Sequence, residues 1–113
     1  MNYNDIKNIL ELHREWFEGD GTSGARADLS DVDLSGADLS FVNLSGADLD
    51  GANLSDTILR GADLSFADLS GADLDGANLS GADLRCAYLI GTNLSGADLG
   101  GANLSGAKIG AIK

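Results

Sequence analysis

From Leu29 onward a large apolar residue recurs at every fifth position through Leu104, and Ile109 continues the series. The frame holds for seventeen positions without a break. Two residues before each stands alanine in 13 cases, the exceptions being Val32, Val42, Thr57 and Thr92. Asp or Asn directly precedes in 14 cases, with Ile58, Tyr88 and Lys108 as the exceptions. Serine usually follows, and glycine stands two residues after in 11 cases.

A five-residue period fits neither regular element. On an α-helix every fifth residue advances by about 140°, so the leucines would circle the axis. Along a continuous strand, positions five apart point to opposite faces in turn. All seventeen apolar positions share one core only if the chain changes direction once per unit. Each unit is then one short side, with Leu and the preceding small residue inward. Asp/Asn, Ser and Gly face water or form the corner, which they do at low cost. Stacked sides satisfy their backbone groups against neighbours about 4.8 Å away. No coil buries its leucines alone, which accounts for a long uninterrupted array. The absence of proline agrees, since proline removes a ladder donor.

The segment before the array has a different period. Ile6, Ile9, Leu10, His13, Trp16 and Phe17 fall on one stripe of a helix that Asn2 or Asn4 can cap and Gly19 can end. Residues 1–26 are therefore expected to be a capping helix and connector, and residues 27–113 a solenoid. The cap covers edge amides and inner leucines of the first coil, with Ile6, Ile9, Leu10, Trp16 and Phe17 as packing residues. His13 with Trp16 is the pair that could suggest chemistry, but the stripe assigns both to the cap.

The run GADLSFADLSGADLDGANLSGADLR, residues 61–85, resembles the signature of the pentapeptide-repeat family, and the resemblance covers residues 27–111. It implies an all-β fold, a right-handed quadrilateral β-helix with four repeats per coil and about four coils here. LHREWFEGDGTSGARADLS resembles the leader that precedes the repeats in short members. The resemblance also implies a bacterial source, and end-to-end association through the C-terminus as in several members.

Composition narrows the function. The chain carries a net charge of −11, and residues 27–113 hold 13 Asp, no Glu and four Lys/Arg. Such a surface repels phosphates, so direct nucleic-acid binding is not expected. No apolar run spans a bilayer and no signal-peptide pattern opens the chain, which gives the expectation of a cytoplasmic protein without membrane contact. The single Cys86 fits a reducing compartment. Glutamates occur only at 11, 15 and 18, and His13 is the only histidine. No Cys/His set for zinc, no Ser–base pair beyond His13 and no calcium-binding repeat is present, so neither cofactor nor catalysis is expected.

Function should then sit where the outward pattern breaks. With four sides, Phe66 and Cys86 share a corner column, and Tyr88 and Ile90 lie on the next side. These four form a candidate interface for a protein partner. Lys108, Ile109 and Ile112 mark the C-terminal edge, read either as a frayed, lysine-guarded end or as the surface of a homodimer. The main reading is a non-catalytic scaffold acting through protein contacts. The alternative is an acidic mimic of DNA directed at DNA gyrase or another DNA-binding protein, because one net charge per about 2 Å of rod approaches the axial charge density of the duplex.

Overall fold

A computed structural model describes residues 2–19 and 23–110. Helix α1 spans Tyr3–Glu18. Asn2 caps it: its side chain accepts the Asp5 N–H at 2.9 Å, and the Asp5 carboxylate accepts the Asn2 N–H at 3.3 Å. This reciprocal pair satisfies two amides that a helix start leaves without partners. At the other end the Gly19 N–H bonds Glu15 O at 3.0 Å.

From Ala27 the chain winds into stacked coils. Parallel bridges join residues 20 apart, from Asp28 with Asp48 to Tyr88 with Lys108. Each coil therefore takes four five-residue units, 27–46, 47–66, 67–86 and 87–106. The bridges are isolated rather than joined into longer strands, because each side has room for one bridging residue before the next corner. Coil-to-coil bonds are regular: Leu69 N–H to Tyr88 O at 2.8 Å, Asp68 N–H to Ala47 O at 2.9 Å, and Gly71 N–H to Ile90 O at 2.9 Å.

The corners are tight turns closed by bonds such as Ala72 N–H to Leu69 O at 3.0 Å. The third residue of each turn has φ between 57° and 73° at all sixteen corners from Asp31 to Gly106. A positive φ at that place alone defines a type II turn and favours glycine. Inside, leucines from Leu29 to Leu89 are buried, each contributing about 1.5–3 kcal/mol. Thr57 and Thr92 occupy alanine positions and donate their hydroxyls to Leu54 O and Leu69 O, both at 2.7 Å. Leu94, Leu99 and Leu104 are partly buried, since no coil among the described residues covers them.

Helix α1 lies across the first coil, with Ile6, Ile9 and Leu10 packed on its core. The connector returns along the helix, where Ala25 N–H bonds Leu12 O at 2.9 Å. Phe17 departs from the expected packing role and is 47% exposed. It has the angle of the apolar stripe, but Trp16, whose ring reaches Gly46, is the last side chain of α1 with the coil beneath it.

Candidate functional surface

His13 is fully buried between α1 and the first coil. Its Nε2 lies 2.8 Å from Ser45 O, and its Nδ1 accepts the Ala27 N–H at 2.9 Å. Both nitrogens are thus committed to backbone, and no serine hydroxyl meets either of them. Burial pushes its proton affinity down; Arg26 acts the same way, while the bond to Ser45 and the Asp63 charge oppose it. A histidine held neutral and enclosed is a structural strut, not a general base. The Trp16 ring packs at 5.4 Å from it, so the pair belongs to the cap.

On the outside, all 14 Asp/Asn residues that precede a leucine do one job. Each accepts, through Oδ1, the backbone N–H two residues on, at 2.9 to 3.1 Å. The serine at the receiving position often adds its hydroxyl, as Ser30 does to Asp28 at 2.7 Å. These bonds hold the carboxyls of Asp28, Asp33 and Asp38 below the ordinary aspartate range. The Arg85 guanidinium does the same for Asp83 at 2.7 Å. Asp50 moves the other way, through partial desolvation and then the charges of Asp68, Asp48 and Asp31. Among the described residues no group of side chains is arranged to hold a metal ion.

Four of the breaks in the pattern adjoin one another. Phe66 is 61% exposed at a corner with φ 61°, and Cys86 follows one coil later with φ 59°. Tyr88 and Ile90 are exposed on the adjoining side. Lys108 from the next coil places its ammonium 5.9 Å from the Tyr88 ring, so the apolar patch runs directly onto the C-terminal edge. Ile109 is exposed there although it stands in the leucine series. Ile112 lies outside the described residues. A second break lies elsewhere: Phe41 projects over Gly61 with Arg60 5.7 Å from its ring, and Ile58 is exposed on the side before. Phe41 also has a left-handed backbone, φ 60°, and its signal in the sequence is a non-glycine residue two places after a leucine.

A cleft of about 450 Å³ opens between α1 and the first coil, walled by Ile6, Leu10, Ala37, Leu39 and Val42. Lys7 and Asp38 stand at its lip. The pattern of the array alone does not show this cleft, because it depends on where the helix comes to rest. No helix among the described residues is long and apolar enough to cross a membrane.

Comparison with known proteins agrees with this geometry. The family model described as pentapeptide repeats (8 copies) matches residues 27–65, 37–76 and 72–109. No curated protein matches the chain. Among solved structures, the pentapeptide repeat protein Rfr23 from the cyanobacterium Cyanothece 51142 is 42% identical with a TM-score of 0.76, over 77% of this chain and 60% of that one. HetL from Nostoc sp. strain PCC 7120, a pentapeptide repeat protein involved in heterocyst differentiation regulation, is 47% identical with a TM-score of 0.71, over 72% of this chain and 38% of that one. A pentapeptide repeat protein from the Arabidopsis thaliana thylakoid lumen is 38% identical with a TM-score of 0.70, over 86% of this chain and 67% of that one. The chain thus spans less than two thirds of the length of Rfr23 and of HetL, and the likeness implies a right-handed β-helix. With the family model spanning nearly the whole coil and the same architecture in these neighbours, the chain belongs to the pentapeptide-repeat family.

Proposed function

We propose that the protein is a non-catalytic cytoplasmic scaffold whose quadrilateral solenoid presents the Phe66–Cys86–Tyr88–Ile90 face to a protein partner. One observation carries this reading. Phe66 keeps a bulky side chain on a left-handed backbone where most corners hold glycine, yet 61% of it stays in water. Phe41 shares this strain and exposure, but Arg60 stacks on its ring and only Ile58 adjoins it, whereas Tyr88 and Ile90 extend the Phe66 patch. The conformation costs about 1–2 kcal/mol, and burial does not offset it. Strain retained on an exposed aromatic is a reason to look for function. The likeness to HetL, a pentapeptide repeat protein involved in heterocyst differentiation regulation, is in keeping with a regulatory role. The test is a pull-down from the native cell with wild type and the Tyr88→Asp/Ile90→Asp variant, checked for unchanged circular dichroism. A partner captured by both would move the interface off this face.

A second reading has its own support. Nine of the 14 turn-closing residues are Asp although Asn makes the same bond, and Asp31, Asp50, Asp56 and Asp75 add charge outside that position. The turn therefore does not dictate the acidity. A DNA mimic would use it against gyrase or another DNA-binding protein. Inhibition of supercoiling by micromolar protein, lost when the nine are changed to Asn, supports mimicry; no inhibition rejects it.

A further inference from the structure

The contacts of His13 complete a ladder that the backbone leaves open. Each corner amide donates to the carbonyl 19 residues later: Asp31 to Asp50, Gly36 to Ser55, Phe41 to Arg60 and Gly46 to Ser65, all at 2.8–2.9 Å. One step earlier in that series the accepting carbonyl belongs to Ser45, and it takes its bond from a side chain. His13 Nε2 is the donor, at 2.8 Å. On the same ring Nδ1 accepts the Ala27 N–H at 2.9 Å. Only the neutral imidazole with its proton on Nε2 makes both bonds. A second proton on Nδ1 would point at the Ala27 N–H inside a site closed to water, setting donor against donor.

We propose that His13 is a proton-operated latch, which fastens α1 to the first coil when neutral and releases it when charged. The groups around it set the direction. Arg26, on the connector, donates to Gly46 O and opposes a second positive charge. Asp63, on the second coil, favours the charge, but its carboxylate is already engaged by the Ser65 hydroxyl at 2.6 Å and the Ser65 N–H at 3.0 Å. On α1 itself the neighbour is the uncharged Trp16 ring. Burial is the largest influence, so the docked ring binds a proton less readily than a free one.

The sign follows by linkage. The undocked state binds the proton more readily, so docking is at full strength above the ordinary imidazole pKa of about 6.5. It weakens as pH falls below that value and stops weakening at the lower, docked-state pKa. The latch therefore opens on acidification. Opening uncovers Ser45 O, the Ala27 N–H and the apolar wall at Leu39 and Val42, which is an unpaired solenoid edge. The aspartates held low by their serines, Asp28, Asp33 and Asp38, titrate in a separate and more acidic window.

The full chain can be tested directly by amide hydrogen exchange between pH 7.5 and 5, corrected for intrinsic rates, with the emission of the sole tryptophan, Trp16, as a second readout. Protection of Ala25 and Ala27 should fall by up to about tenfold per pH unit below 6.5 while that of Leu69 holds. His13→Gln retains an amide donor and a carbonyl acceptor but no titrating group, so its profile should be flat. His13→Ala should leave Ala25 and Ala27 weakly protected at every pH. A flat wild-type profile, or the same acid transition in His13→Gln, overturns the latch.

Discussion

A residue two places after each leucine must adopt a left-handed φ, whatever its side chain. That requirement separates the sixteen corners into eleven glycines and five others, Asp31, Phe41, Asp56, Phe66 and Cys86. Two substitutions of opposite sign follow. Gly71 has φ 67°, and a Cβ there would meet only the Asp50 carboxylate, at 3.9 Å. Gly71→Ala should thus lower stability by about 1–2 kcal/mol through backbone strain alone. Phe66→Gly relieves the same strain; the added freedom of the unfolded chain returns part of the gain, leaving about 1 kcal/mol. Urea denaturation monitored by circular dichroism measures both, and equal signs would show that the corners are not governed by φ. At this scale the sequence was largely readable. Asp/Asn and Gly were legible as turn formers from their spacing, but the sign of φ depends on the turn type. For that reason Phe66 and Cys86 stood out in the sequence only as outward exceptions, not as strained ones.

At the scale of elements, the helix and the solenoid meet through the connector as much as through the apolar stripe. Gly24 has φ 74°, and a Cβ there would overlap the backbone of Leu12 and Trp16. Gly24→Ala combines a left-handed penalty with overpacking, and it should loosen α1 by about 2 kcal/mol or more. The expected signs are a changed Trp16 emission and faster exchange at Ala25, with the amides of residues 67–89 unaffected. Faster exchange spread evenly over the coils would instead mean that cap and solenoid unfold as one unit. The helical period placed Ile6, Ile9 and Leu10 over the core, since a stripe fixes angle. It could not fix how far the coil extends beneath the helix, and so Phe17 was misplaced. Nor could it show that His13 serves as a ladder donor, because that role depends on which carbonyl the first coil leaves free.

Across the whole molecule, contacts are made only between neighbouring coils, so stability is set coil by coil. Leu69 is fully buried with coils on both sides, whereas Leu104 is only partly covered. Leu69→Ala should cost about 2–5 kcal/mol and Leu104→Ala clearly less, as read from urea midpoints. The hydrogen-bond ladder makes a finer demand on the last coil. Asp98, Asn103 and Lys108 donate their amides to Ala77, Ala82 and Ala87 at 2.8 to 3.0 Å. The amides of Leu99 and Leu104 face the other way and have no ladder acceptor among the described residues. Exchange along residues 98–108 should therefore alternate, slow at Asp98, Asn103 and Lys108 and fast at Leu99 and Leu104. Amides without a ladder acceptor among the described residues can serve as a template for another chain. If a second copy stacks there, Leu99 and Leu104 should gain protection as protein concentration rises, while Leu69 stays unchanged. Protection independent of concentration would confine association to the Phe66–Ile90 face, and light scattering on Tyr88→Asp/Ile90→Asp would then report whether that face joins two copies or waits for a different partner.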